Sequence, residues 1–227
     1  MRTLAAAGIA ALLAGPAFAV NVLTEDFDGT VDPSIGGAGT VTPVLGYAGI
    51  GGFAGNFLLN NQTAGVATTV SLSGLAAHTT MTIGFDLALI DSWDGNGGRA
   101  NGPDWFNLVL DGVELLEVSV DFTGTANETI PAEATYTLED TEAYGSTSWA
   151  DNAFAVSITV AHSGATAALS LFADGSGYQA GSDEYWAVDN LTVDINEVGG
   201  PQDVPLPAAA PLLLLGLGGL AALRRRG

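Results

Sequence analysis

The sequence predicts an all-β protein whose folded body is a single antiparallel β-sandwich of the jelly-roll type. Apolar and polar residues alternate over several short windows, which is the pattern of a strand with one buried face. The 31 glycines among 227 residues supply frequent turns, and no long stretch follows the helical period. Hydrophobic residues make up 48% of the chain, which is enough to build a core.

Short strands joined by turns account for most of the predicted body. Asp111-Gly112 separates two apolar runs and predicts a β-hairpin. Ser163-Gly164 predicts a second hairpin between the strands on either side of it. The predicted strands are 22–27, 41–45, 56–59, 66–72, 82–89, 106–111, 113–122, 154–160, 167–171 and 185–195.

The charge of the chain is strongly one-sided. Acidic residues number 25 and basic residues five, with no lysine, so the formal net charge is −20. Arg99 is the one basic side chain between residues 3 and 223. Nucleic-acid binding needs Lys and Arg to neutralise phosphates, so that class of function is excluded. Cysteine is absent from the sequence, which excludes thiol catalysis, disulfides and thiolate metal sites.

The N-terminus has the features of a targeting segment. Arg2 precedes an apolar run, and small residues follow at Ala17 and Ala19. This order predicts a signal peptide of residues 1–19, with the folded body at residues 20–195.

The C-terminal part contains three successive features after a polar linker at 196–203. The apolar stretch at 208–223 predicts a short transmembrane helix. The positive-inside bias keeps the basic end that follows it in the cytoplasm. The box before the helix is Val204, Pro205, Leu206, Pro207 and Ala208, and the basic membrane stop is Arg224, Arg225 and Arg226.

Segment 204–227 resembles the VPLPA-CTERM variant of PEP-CTERM sorting signals, in which a Val-Pro-x-Pro box, a short transmembrane helix and a basic cluster follow one another. The resemblance implies that an exosortase-type membrane transpeptidase of a Gram-negative bacterium cleaves the chain near the box. It also implies an inner-membrane intermediate held by the C-terminal helix, and then delivery to the cell surface or extracellular matrix. A plain C-terminal membrane anchor is the alternative.

The loop between predicted strands 82–89 and 106–111 is rich in carboxylate and amide side chains. Calcium takes about six to eight oxygen ligands of this kind, and the interspersed glycines let backbone carbonyls turn inward. The spacing is not that of an EF-hand. The predicted calcium ligands are Asp91, Asp94, Asn96, Asn101 and Asp104, and a solvated acidic loop is the alternative.

A second acidic group links the two ends of the predicted body. Glu25-Asp26-Phe27-Asp28 closes the first strand, and Trp186-Ala187-Val188-Asp189 lies in the last one. This arrangement resembles MAM domains and carbohydrate-binding jelly rolls, whose first and last strands lie together. The resemblance implies a structural calcium held by Asp28 and Asp189. Ordinary turn and strand-edge acids are the alternative.

Four tryptophans near acidic and amide residues suggest glycan binding, because exposed aromatic faces stack on sugar rings. They are Trp93, Trp105, Trp149 and Trp186. Packing in the core is the alternative, since tryptophan buries most of its area on average.

Three functions remain open at this point. The first is an exported, surface- or matrix-sorted, non-enzymatic β-sandwich stabilised by calcium. The second is a carbohydrate-binding module for extracellular polysaccharide. The third is a glycan hydrolase using two of Asp91, Asp94, Glu184 and Asp189, although no nucleophile elbow or zinc-protease motif supports catalysis.

Overall fold

The computed structural model describes residues 18–198, except residues 98, 100, 125–126 and 145–147. The sorting box, the predicted transmembrane helix, the basic end and nearly all of the predicted signal peptide lie outside the described residues. Within the described part of the chain, no helix has the length and hydropathy needed to cross a bilayer.

The described residues form two antiparallel sheets packed as a sandwich, which confirms the predicted fold class. One sheet has the order β3-β4-β12-β6-β10-β9, with β1 also paired to β12, and the other has the order β2-β5-β11-β7-β8. The strands are β1 (Phe18–Glu25), β2 (Ile35–Gly37), β3 (Thr40–Pro43), β4 (Asn56–Asn60), β5 (Thr68–Ser73), β6 (His78–Asp91), β7 (Trp105–Leu110), β8 (Val113–Val118), β9 (Ala134–Thr141), β10 (Asp151–Ala161), β11 (Thr166–Asp174) and β12 (Glu184–Glu197).

The main core lies between the two sheets and follows from the alternation in the strands. Ile83, Phe85 and Leu87 of β6 are buried there, and Leu169 and Leu171 of β11 enter the same core from the other sheet. Full burial of each such side chain contributes about 1.5–3 kcal/mol of transfer free energy. The core therefore ties the two sheets together.

A second, smaller core covers the outer face of the large sheet. Tyr47, Phe53 and Phe57 come from the segment around β4 and pack with Ile90 and Ala187. The end of β6 is therefore buried on both faces, which explains why strict alternation stops there and a continuous apolar run takes over. The two cores together hold the end of β6 in place, and the loop between β6 and β7 starts there.

The first predicted hairpin is confirmed. Strands β7 and β8 pair antiparallel, with Leu110 opposite Val113. The two turn residues both have positive φ, 51° for Asp111 and 82° for Gly112. A two-residue turn with positive φ at both positions matches the right-handed twist of the flanking strands.

The second predicted hairpin is wrong. Strand β10 pairs with β6 and β9 in the large sheet, whereas β11 pairs with β5 and β7 in the small one. The turn at Ser163-Gly164 therefore crosses from one sheet to the other. Both strands alternate because each buries one face in the shared core, so alternation could not tell a hairpin from a crossover.

Several strand limits differ from the prediction. Strand β8 ends at Val118, and Ser119 continues only as an isolated bridge to Thr129. Strands β2 and β9 were not predicted. The body extends from Phe18 to Glu197 in the β1–β12 pair, two residues beyond the predicted limit at each end.

Candidate functional site

The loop between β6 and β7 meets the start of β12 and brings three acidic side chains together. Asp94 and Asp104 belong to the loop, and Glu184 is the first residue of β12. One carboxylate oxygen from each lies within 4.8 Å of the others. The exposed fraction is 7% for Asp94 and 0% for Asp104 and Glu184. These three residues are named the acidic cluster below.

Hydrogen bonds hold the acidic cluster in place. The backbone N–H of Asp94 donates to Oδ2 of Asp104 at 2.6 Å, and the backbone N–H of Asp104 donates to the carbonyl of Asp94 at 3.0 Å. The backbone N–H of Gln179 donates to Oε2 of Glu184, and its side-chain amide donates to Oε1 at 3.3 Å. The loop is thereby closed on itself beside the start of β12.

Burial raises the pKa of every carboxyl group in the acidic cluster. Desolvation raises the pKa of Asp104 to about 7 and that of Glu184 to about 8, and charge repulsion within the cluster adds to the effect. Desolvation also raises the pKa of Asp94, although Arg99 opposes the change. Near neutral pH such a group of carboxyls either retains a proton or binds a cation.

A cavity of about 380 Å³ opens beside the acidic cluster, with Asp94 in its wall. Its apolar part consists of Phe122 and Trp149, which are half-buried and meet edge to face with ring centroids 4.7 Å apart. Its polar part consists of Ser92, Asp94, Arg99, Asn101, Gln179 and Asp183. The cavity therefore offers both an aromatic wall and hydrogen-bonding groups.

Arg99 joins this cavity to a second buried carboxylate. Its Nε and Nη2 donate to the two carboxylate oxygens of Asp121 at 3.1 and 2.8 Å. Its guanidinium carbon lies 4.6 Å from the ring centre of Phe122, and its Nε lies 3.5 Å from an oxygen of Asp94. Burial disfavours the charge on Asp121, but hydrogen bonds, with that from Arg99 the largest, lower its pKa to about 2.

The other predicted ligands of this loop have contacts of their own, and their role as calcium ligands stays a prediction. Asp91 has a φ of 66°, which interrupts the alternation at the end of β6, and its side chain hydrogen-bonds with Tyr185. The side-chain amide of Asn96 donates to the hydroxyl of Thr129. Asn101 is exposed and lines the cavity.

Two of the four predicted glycan-binding tryptophans are core residues, which corrects the prediction for both. Trp93 is 0% exposed, and its indole N–H donates to a backbone carbonyl of β12 at 3.0 Å. Trp186 is 1% exposed and packs edge to face against Phe106. Trp149 lines the cavity, whereas the half-buried Trp105 is not part of the lining.

The two residues of the second predicted calcium pair, Asp28 and Asp189, both accept hydrogen bonds from the segment 54–56. Burial raises the pKa of Asp189 to about 6, with contributions from the charges of Asp86 and Asp28 nearby. Oδ1 of Asp28 accepts a hydrogen bond from the backbone N–H of Asn56 at 2.7 Å, and Oδ2 of Asp189 accepts one from Ala54 at 3.2 Å. A cation at this place stays a prediction.

Sequence reasoning missed several groups of the site. The sequence suggests Glu184 only as a candidate catalytic acid, yet the register of the large sheet puts it opposite Asp91, at the mouth of the loop. Asp121 and Phe122 follow β8 by a few residues, whereas the sequence pattern places them within the predicted strand 113–122. The usable signal was the lone Arg99, because a single cation in so acidic a body needs a carboxylate partner.

Comparisons with known proteins found similar solved structures at low identity. Neither a family model nor a curated protein matches the chain. A family 35 carbohydrate-binding module from an environmental isolate is 14% identical, with a TM-score of 0.34, over 79% of this chain and 94% of that one. The C-terminal CBM6 of LamC, a laminarinase from Zobellia galactanivorans, is 16% identical, with a TM-score of 0.35, over 77% and 98%.

Another similar structure is a cycloisomaltooligosaccharide glucanotransferase from Paenibacillus, at 15% identity and a TM-score of 0.33. The similarity covers 69% of this chain and 16% of that one. At these identities and TM-scores, the function has to be argued from the cavity and the side chains around it.

Proposed function

We propose that this chain is a non-enzymatic polysaccharide-binding module, and that a segment of a neutral glycan occupies the cavity beside the acidic cluster. The observation that carries the proposal is the composition of the cavity wall. Phe122 and Trp149 provide apolar ring surface, and amide, hydroxyl and carboxylate groups surround it. A sugar ring presents C–H groups on its faces and hydroxyls at its edge, so it complements both parts of this wall.

The size and the charge of the cavity narrow the class of ligand. A volume of about 380 Å³ falls near the lower end of the range of small-molecule sites, which suits a short stretch of a glycan. Asp94 and Asp183 line the wall, and the charge of Arg99 is already paired with Asp121. An anionic glycan would meet this acidic wall on a chain of net charge −20, so a neutral one is favoured.

The burial of Asp104 and Glu184 argues against a catalytic role for these two carboxyl groups. A glycosidase needs two carboxyl groups that reach the glycosidic oxygen and the anomeric carbon. Asp104 and Glu184 are both 0% exposed, and a general acid must contact the atom that it protonates.

The proposal includes export to the cell surface or extracellular matrix through segment 204–227, after processing by an exosortase-type transpeptidase. The support is the order of the signal peptide, box, apolar stretch and basic end in the sequence. Mass spectrometry of the surface fraction should find a C-terminus near the box. A surface product that extends to Leu223 or beyond would contradict processing.

Glycan binding is tested by affinity gel electrophoresis of the full chain in neutral glucans, mannans and xylans, and in a polyuronate. We expect retardation in at least one neutral glycan and none in the polyuronate. Trp149→Ala should abolish retardation, because it removes the larger ring of the cavity wall. Trp105→Ala is the matched control, since that indole is also half-buried but lies outside the cavity lining.

The control should keep wild-type retardation, and both variants should melt within a few degrees of the wild type. Equal retardation of Trp149→Ala and the wild type would place binding elsewhere. No retardation of the wild type in any neutral glycan would reject the proposed function. Release of reducing sugar during the same incubations would reject its non-enzymatic part.

A further inference from the structure

We propose that the acidic cluster binds a calcium ion, which joins the β6–β7 loop to the start of β12. The cluster places three carboxylates within 4.8 Å of one another, from two segments that are 80 residues apart in the sequence at their closest. All three side chains are buried, so their charges lack the screening that water gives to surface acids. Within the acidic cluster, Arg99 forms an ion pair with Asp94, whose Oδ1 lies 3.5 Å from its Nε. Its ion pair with Asp121 is shorter.

A second observation at this place points to a ligand. Among the described residues, Oδ1 of Asp104 has no hydrogen-bond donor although the residue is fully buried. The hydroxyl of Tyr178 is also buried and unpaired in the described part of the chain. Burial raises the pKa of Tyr178, and the charges of Glu184 and Asp104 add to the effect. Buried polar atoms rarely remain unpaired, and Oδ1 of Asp104 belongs to a residue of the acidic cluster itself.

Proton sharing is the alternative to a cation. A hydrogen bond between Asp104 and Glu184 requires one of the two carboxyls to be protonated, because two carboxylates have no donor between them. A cation and that proton therefore exclude each other. This competition gives the experiment its two distinguishable outcomes.

The donor set selects calcium among common metals. It contains oxygen atoms alone, with no imidazole or thiolate, which disfavours zinc and copper. Carboxylates can bind calcium through one or both oxygens, and flexible coordination lets water from the adjoining cavity complete the shell. Magnesium requires a stricter octahedron and releases its water reluctantly, so it should bind less well.

Calcium at this place also bears on the proposed function. Asp94 belongs both to the acidic cluster and to the cavity wall, so the ion would hold one wall of the cavity in position. The effect on glycan retention rests on the proposed function, whereas calcium binding itself does not.

The experiment is a calorimetric titration of the EDTA-treated full chain, in mild detergent, with calcium chloride alone. We expect the acidic cluster to bind calcium with a Kd of about 10⁻⁴–10⁻³ M, as in extracellular calcium modules. We also expect Tm to rise by several degrees in about 5 mM calcium, and magnesium to reproduce little of that rise.

Glu184→Gln keeps the size of the side chain and should weaken calcium binding at this site at least tenfold. Glu114→Gln makes the same change at an exposed position of β8 and should leave calcium binding unaltered. Asp104→Asn is a second variant of the cluster and should behave like Glu184→Gln. Unaltered calcium affinity in both cluster variants would overturn the proposal. Absence of a calcium response in the wild type, with a higher Tm in Glu184→Gln, would establish proton sharing instead.

Glycan retention is measured in the same preparations. Retention without calcium binding would overturn this inference alone. Calcium binding without retention would overturn the proposed function alone.

Discussion

Two buried carboxyl groups near the end of β6, those of Asp151 and Asp104, differ in how many hydrogen bonds the backbone donates to them. Asp151 accepts three backbone hydrogen bonds at 2.7–2.8 Å, from the N–H groups of Asp91, Ala143 and Tyr144. Asp104 accepts one from Asp94, and its Oδ1 has no donor among the described residues. Burial raises the pKa of both, to about 6 for Asp151 and to about 7 for Asp104. Backbone donors thus make one carboxylate part of the fold and leave the other available to a ligand.

The largest loss of stability should follow the removal of the Asp151 carboxylate, which accepts three backbone hydrogen bonds. Asp151→Ala leaves three backbone N–H groups without their acceptor, and each costs about 1–3 kcal/mol when it stays buried. We expect a loss of roughly 3–6 kcal/mol in the free energy of unfolding, measured by urea denaturation. Glu114→Ala, at an exposed position, should change it by less than about 0.5 kcal/mol. A loss of under about 1 kcal/mol in Asp151→Ala would erase the difference between the two groups.

Replacement of Asp by Asn should change the stability of the protein in opposite directions at Asp151 and at Asp104. Asp151→Asn retains one acceptor oxygen for three donors and should destabilise the protein by about 2 kcal/mol. Asp104→Asn retains an acceptor for the N–H of Asp94 and adds a donor toward Glu184. In EDTA at pH 8 it should stabilise the protein by about 1 kcal/mol, because it relieves an uncompensated charge. Thermal melting of both variants in one buffer series checks the signs.

The pH dependence of stability without calcium should show both groups. A carboxyl whose pKa is raised on folding binds more protons in the folded than in the unfolded chain, so the free energy of unfolding falls as pH rises. Asp151 should contribute to this fall between about pH 4 and pH 6, and Asp104 up to about pH 7. Glu184 should extend it to about pH 8. Melting in EDTA tests this, and Asp104→Asn should flatten the upper part of the curve only.

The smallest loss of stability should follow the replacement of Arg99, the basic side chain beside the acidic cluster. Arg99 is partly exposed, so Arg99→Gln should cost about 1 kcal/mol or less despite its two bonds to Asp121. The pKa of Asp121, now about 2, should rise in the variant because the first of the opposing hydrogen bonds is lost. Stability should therefore fall at a higher pH on acidification than it does in the wild type. If the variant and the wild type lose stability at the same pH on acidification, hydrogen-bond donors other than Arg99 keep the pKa of Asp121 low.

Much of the fold could be predicted, because alternation reports directly which face of a strand is buried. The same signal failed where two strands share a core without sharing a sheet, as at the turn of Ser163-Gly164. The prediction of glycan binding failed for Trp93 and Trp186, since a position beside acidic residues does not say whether an indole is exposed. Both indoles are in the core.

The sequence by itself determined the class of fold, the acidic character and the absence of thiol chemistry, since these depend on composition and local period. Tertiary structure alone decided which acids meet. Glu184 joins Asp94 and Asp104 because the β6–β12 register brings the start of β12 to the β6–β7 loop. Asp91, although opposite Glu184 in the sheet, has a positive φ and hydrogen-bonds with Tyr185. Contacts between segments far apart in the chain leave no periodic trace in the sequence.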